Sequence, residues 1–160
     1  MKSVVLLFVP LILALLISGC ALPKNAAEFR KEVQSGAMMH SKMSVDSNRS
    51  YTDVVKTLKE RAEICLNRST KSGSMYTYFH STLSFDENKS VLTLQMLNPM
   101  DLVRPADPLG HFMLVADFIP KDKNHTQIDI YKIQQWSHDV ITKAIIGWSQ
   151  GRKGCPDFIY

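Results

Sequence analysis

The sequence predicts an α+β domain: a mostly antiparallel sheet of about five strands with two helices on one face, in the order β-α-β-β-β-β-α. Three observations predict it. Apolar residues alternate with period two in several stretches. Two other stretches repeat their apolar residues at helical spacing. Short polar or proline-bearing segments separate them. The chain has 160 residues, 45% hydrophobic and 21% charged, which suits one globular domain and excludes disorder as the main state.

Residues 37–46 make the first strand. Ala37, Met39, Met43 and Val45 share one face, interrupted by Ser41, while His40, Lys42, Ser44 and Asp46 share the other. Residues 51–66 then change period. Val54, Leu58, Ala62 and Cys65 recur at helical spacing, flanked by Val55 and Leu66. Ser50 followed by Asp53 resembles a capping box, with aspartate in place of glutamate. Lys56–Glu60 and Lys59–Glu63 are four-residue charge pairs on the outer face.

From Met75 to Phe85 the chain is rich in aromatic and β-branched residues and reads as a strand. Residues 86–89 form a turn and 91–97 the return strand, a hairpin. Met75, Thr77, Phe79, Leu83 and Phe85 form the more apolar face and are assigned to the core. Tyr76 and Tyr78 then point to the other side. Residues 98–110 hold three prolines and end at Gly110, which excludes regular structure; the segment is long for a connection inside a small domain. A second hairpin follows, with strands at 111–119 and 126–133. Val140, Ile141, Ala144, Ile145 and Trp148 make the stripe of a last helix. Ser137 is placed to cap it, Asp139 lies in its first turn and Gly151 suits its end.

The N-terminus speaks to compartment. One lysine, Lys2, precedes an apolar run from Val4 to Ile17, the layout of a secretory signal and short for a membrane span. The run ends in Ile17-Ser18-Gly19-Cys20. This resembles the lipobox of bacterial lipoproteins, departing from it only in Ile17, where leucine is commoner. The resemblance covers residues 1–20. It implies cleavage before Cys20 and acylation of that residue, with residues 1–19 a signal peptide. Residues 20–36 then form an anchor and tether with one helical turn, ending at Gly36, and 37–160 one domain. Several acyl chains hold a protein firmly on a membrane, since each buried methylene contributes about 0.8 kcal/mol. In enteric-type lipoproteins an aspartate after the cysteine favours the inner membrane. Ala21 stands there instead, so the resemblance implies the outer membrane, facing the periplasm. Asn-x-Ser/Thr triplets at Asn48, Asn67, Asn88 and Asn124 are the sequence argument against a bacterial envelope, since a eukaryotic secreted chain would carry glycans there.

Three cysteines are present. With Cys20 lipidated, Cys65 and Cys155 remain, and an even pair in an oxidising compartment reads as a disulfide. The alternative, catalytic or metal-binding thiols, lacks a Cys-x-x-Cys and any histidine at ligand spacing. A bond between Cys65 and Cys155 would join the ends of the two expected helices and set them side by side on one face of the sheet. That arrangement resembles the small helix-on-sheet domains of envelope lipoproteins, in architecture alone.

Chemistry-bearing patterns are sparse. His40, His80 and His111 fall on three expected strands; no short-spacing ligand motif joins them, and no metal or cofactor is expected. Gly-x-Ser-x-Gly and glycine-rich phosphate loops are missing from the sequence; Asp101, Asp107 and Asp117 lie in or near the long loop as carboxylates for sugar hydrolysis, but loop aspartates usually only favour turns. The net charge of +4 is too small and scattered for a nucleic-acid binder. The candidate binding surface comprises Arg104 with Asp101 and Asp107 on the long loop, and Tyr76 and Tyr78 on the sheet. Arginine and tyrosine are enriched at interface cores; a loop-bracing ion pair would also account for Arg104. The expectation is a non-catalytic, membrane-anchored binding or assembly module with an envelope protein partner. The alternative is a carrier or sensor of a small lipid or peptidoglycan-derived ligand. An apolar cavity would favour the second; a filled core would favour the first.

Overall fold

The computed structural model describes residues 22–86, 88–134 and 136–157. The signal segment and Cys20 lie outside the described residues. The elements are α1 (Ala26–Gln34), β1 (His40–Ser47), α2 (Tyr51–Leu66), β2 (Arg68–Ser72), β3 (Met75–Asp86), β4 (Lys89–Leu97), β5 (His111–Pro120), β6 (Thr126–Ile133) and α3 (Trp136–Ser149). One six-stranded sheet runs in the order β1-β6-β5-β4-β3-β2, with every neighbouring pair antiparallel. The α+β class and the antiparallel sheet stand as expected. There is one more strand and one more helix than the sequence suggested.

The extra helix is α1, expected as a tether with one helical turn. Its signal was a single apolar pair one turn apart. Phe29 and Val33 are buried at 1% and 6% exposure among otherwise polar neighbours. Asn25 caps it by accepting a hydrogen bond from the Glu28 amide at 2.9 Å, and Glu28 Oε2 accepts from the Lys24 amide at 2.9 Å, a reciprocal capping arrangement. The extra strand, β2, is an edge strand of sequence Arg-Ser-Thr-Lys-Ser. It pairs with β3 alone. An edge strand without an apolar face carries no alternation to read.

Helices lie on both faces of the sheet, on the second only over β1, β5 and β6. On one, α2 lies over β3 and β5 and α3 over β6 and β1. Val54, Leu58, Leu66, Leu92, Leu114, Phe118, Ile128, Ile130, Ile145 and Trp148 fill the space between. Each is at most 1% exposed. This is the layer expected from the two helical stripes. Met43, Val45, Phe79 and Leu83 pack against it, as their alternation implied. Phe85 and Met75, assigned to the same face, are 53% and 47% exposed. They sit near the two ends of β3, and Phe85 is covered there by the Lys59 side chain of α2, 5.8 Å over its ring.

On the other face α1 covers β1, β5 and β6, with Phe29, Val33, Phe112, Val115 and Tyr131 as its core. A β-bulge makes this second core. Leu94 pairs with Leu114 but Gln95 pairs with Phe112, so Met113 is the inserted residue. Phe112 therefore faces α1 although Leu114 faces α2 and α3.

Cys65 and Cys155 are bonded, with their Cα atoms 5.3 Å apart. Trp148 donates from Nε1 to the Gly154 carbonyl at 2.7 Å. Gly151, at φ +90°, ends α3: its amide reaches the Trp148 carbonyl and the Arg152 amide reaches the Gly147 carbonyl, both at 2.9 Å, a Schellman motif. Together these turn the chain after α3 back toward the end of α2.

Candidate functional site

The α1 face holds the molecule's charged interior. Asp117 of β5 and Asp129 of β6 are cross-strand partners; their side chains are 4% and 11% exposed. Arg30 of α1 donates from Nη2 and Nε to Asp117 Oδ1, at 2.6 and 3.2 Å. Lys89 approaches Asp117 Oδ2 at 2.9 Å. Asp129 accepts from Ser44 Oγ at 2.6 Å and from Gln127 Nε2 at 2.9 Å, and Lys42 stands 3.3 Å away. Burial works to raise the Asp129 pKa, but the Ser44 hydroxyl, the Gln127 amide and Lys42 outweigh it and hold the carboxyl below the usual range. For Lys42, burial pulls down while Asp129 and Tyr131 raise the ammonium above its usual value, the net effect being upward. Both carboxylates are thus already neutralised. Their present role is to seat α1 on the sheet. Of these residues the sequence singled out Asp117 alone, as a carboxylate near the long loop; the cluster itself was not legible, because the pairing Arg30–Asp117 spans 87 positions.

Beside this cluster, at one end of the sheet, lies an open cleft of about 270 Å³. Its lining includes Leu22, Pro23, Phe29, Glu32, His40, His111, Phe112 and Ile133. The strand ends that shape it are adjacent by register: His40 faces Ile133 and Met96 faces His111. Two of the three strand histidines are therefore brought together at one cleft, while His80 is absent from its lining. His40 Nδ1 lies 2.9 Å from the Met38 carbonyl and its Nε2 3.8 Å from Glu32. His111 Nε2 lies 3.6 Å from Asp101. Phe29 contacts both the His40 and Phe112 rings, at 5.9 and 6.1 Å between centroids. Among the described residues, no group of three or more metal-ligating side chains converges.

The sequence candidates are distributed as follows. Asp101 is drawn to His111. Asp107 Oδ1 accepts from the Leu109 amide at 2.8 Å and stabilises its own turn. Neither braces Arg104, which is exposed. Tyr76 and Tyr78 are 43% and 37% exposed and stack with centroids 6.4 Å apart and planes at 19°. They are on the sheet side away from α2 and α3, as their alternation implied. Lys71 lies 5.3 Å over the Tyr76 ring, a cation–π contact. Tyr78 faces Leu97, where the long loop departs, so the tyrosines and the loop share one end of the sheet.

No protein-family model matches the chain, and no curated protein matches it. Two solved structures are similar at a low level. One is DynU16, a putative protein in the dynemicin biosynthetic locus, at 9% identity and a TM-score of 0.31. The likeness covers 69% of this chain and 43% of that one, so this chain corresponds to under half of DynU16. The other is the Zhui aromatase/cyclase from Streptomcyes sp. R1128, at 12% identity and a TM-score of 0.28, covering 70% of this chain and 86% of that one.

Proposed function

We propose that the protein is a lipid-anchored lipoprotein of the bacterial envelope, held on the periplasmic side of the outer membrane. It serves there as a non-catalytic binding or assembly module for an envelope protein. The observation that carries the reading is the allocation of its cysteines. Cys65 and Cys155 are bonded to each other, which leaves Cys20 of the lipobox-like Ile17-Ser18-Gly19-Cys20 run as the single cysteine free for acylation. A structural disulfide suits an oxidising compartment. The filled layer between the sheet and its two long helices supports a module that binds through its surface. The stacked pair Tyr76 and Tyr78 is the partner surface of choice, since rigid aromatic area on an open sheet anchors interfaces.

The cleft beside α1 supports a second reading, a small apolar or lipid-derived ligand. Its volume of about 270 Å³ falls just under the roughly 300 Å³ at which small-molecule sites begin. Crosslinking in intact cells, followed by mass spectrometry, separates the two. A stoichiometric protein joined at Tyr76 or Tyr78 supports the module. Co-purified lipid or glycan without a protein partner moves the function to the cleft. Substituting Cys20→Ser should move the protein from the membrane to the soluble fraction; unchanged attachment refutes the anchor.

A further inference from the structure

We infer that the end of the sheet carrying the loop 98–110 is the face that lies against the bilayer, with Leu102 and Val103 inserted among the lipid headgroups. The inference rests on the lipid anchor at Cys20.

Five segments meet at this end. Leu22 and Pro23 line its cleft with the start of β1, the end of β6 and the start of β5. The loop 98–110 leaves from the end of β4 next door. Leu22 is two residues from Cys20, so the acylated residue lies within about 7 Å of the Leu22 backbone even when fully extended. The membrane surface is therefore at this end of the domain.

The same end is apolar where it meets solvent. Leu102 is 102% exposed, Met100 68% and Val103 61%; across the sheet, before β1, Met38 is 88% and Met39 56% exposed. Three strand spacings of about 4.8 Å separate β4 from β1, so these side chains span roughly 14 Å of one rim. Single exposed apolar residues need no explanation, but a contiguous group does. Arg104 follows Val103 directly and is exposed, which places a guanidinium at headgroup level beside the inserted pair. The loop's own carboxylates are engaged within this end of the domain, Asp101 with His111 and Asp107 with the Leu109 amide. The opposite end of the sheet is built differently. Its turns are tied by Lys121–Asp46 at 2.9 Å and Asp122–His125 at 2.8 Å.

The test uses the full lipidated chain in vesicles of phosphatidylethanolamine and phosphatidylglycerol. With Cys20 acylated and Cys65 bonded to Cys155, the variant Leu102→Cys offers one thiol for an environment-sensitive fluorophore. Lys121→Cys does the same at the opposite end. Lipids spin-labelled near the headgroup should quench the label at 102 several-fold more than the label at 121, with a blue-shifted emission at 102 alone. Vesicle-bound protein whose two labels are equally exposed to aqueous iodide overturns the inference while leaving the anchor intact. A label at 102 that stays wet on vesicles but is shielded in cells assigns the loop to a protein and also overturns it. An unmodified mass at Cys20 with no vesicle binding removes the anchor and the inference together.

Discussion

Asp117 and Asp129 stand directly opposite each other on β5 and β6, under the helix α1, and are neutralised by different partners. Arg30 and Lys89 serve the first; Lys42, Ser44 and Gln127 serve the second. Like charges directly opposite in a sheet are destabilising. Here α1 supplies Arg30 and β1 supplies Lys42 and Ser44 to the offset, so the two carboxylates couple the docking of both elements.

Arg30→Ala tests that coupling. It leaves Asp117, 4% exposed, with Lys89 alone. Removing one partner from a buried charge-assisted pair costs about 2 kcal/mol when a second cation remains. The urea midpoint should fall accordingly. Amide exchange should rise first at Phe29 and Val33, ahead of global unfolding.

Acid should weaken the fold through Asp129. Its carboxyl sits below the usual 3.8, so the folded state holds the proton less readily than the unfolded chain. That stability is present above pH 3.8 and is lost as pH falls through the folded value. Asp129→Asn should flatten the acid limb of a stability–pH curve. At pH 7 it should lower stability, because the amide gives up the ionic contact with Lys42 that holds the carboxylate charged in the fold. Lys42 acts at the other extreme: its raised value means its contribution is complete below the unfolded value and fades as pH climbs through the folded one.

Reduction should destabilise the domain. The bonded cysteines are 90 positions apart, for which chain entropy predicts about 4–5 kcal/mol, with measured values often lower. A melting curve in reductant, compared with the oxidised protein and with Cys155→Ser, measures it. Equal melting temperatures would argue against the bond.

Gly110→Ala should be strongly destabilising for its size. Gly110 has φ +117°, and an added Cβ would lie 2.2 Å from the Met96 carbonyl oxygen. Backbone cannot yield as a side chain tip can, so a loss of about 2–3 kcal/mol is expected. Gln95, whose amide holds the Gly110 carbonyl at 3.2 Å, should lose that hold, and exchange across β4 and β5 near the bulge should accelerate.

Much of this architecture was legible from periodicity. The helix at 51–66 and the strand at 126–133 match α2 and β6 residue for residue: α2 buries one apolar stripe, and β6, though covered on both faces, keeps its alternation of Ile128 and Ile130 with polar or aromatic residues. α1 and β2 were not. The first buries two side chains and is otherwise polar; the second is a polar edge held by backbone hydrogen bonds. β5 is buried from Phe112 to Phe118, so its pattern hides the bulge that sends Phe112 to the second core. The stacked tyrosines followed from alternation. The cleft and the Asp117–Asp129 cluster did not, since both are assembled from elements far apart in the chain.

The bond between Cys65 and Cys155 has a mechanical consequence. It takes the 90 positions between these residues out of the length that tension can draw out. A pull applied from the N-terminal side reaches α1 first and then β1, the edge strand that pairs with β6 alone among the described residues. Stretching would strip these two elements and leave the cross-linked remainder closed. The domain can lengthen near its N-terminus as a shock absorber does, while β2, β3 and the tyrosine pair keep their shape under load.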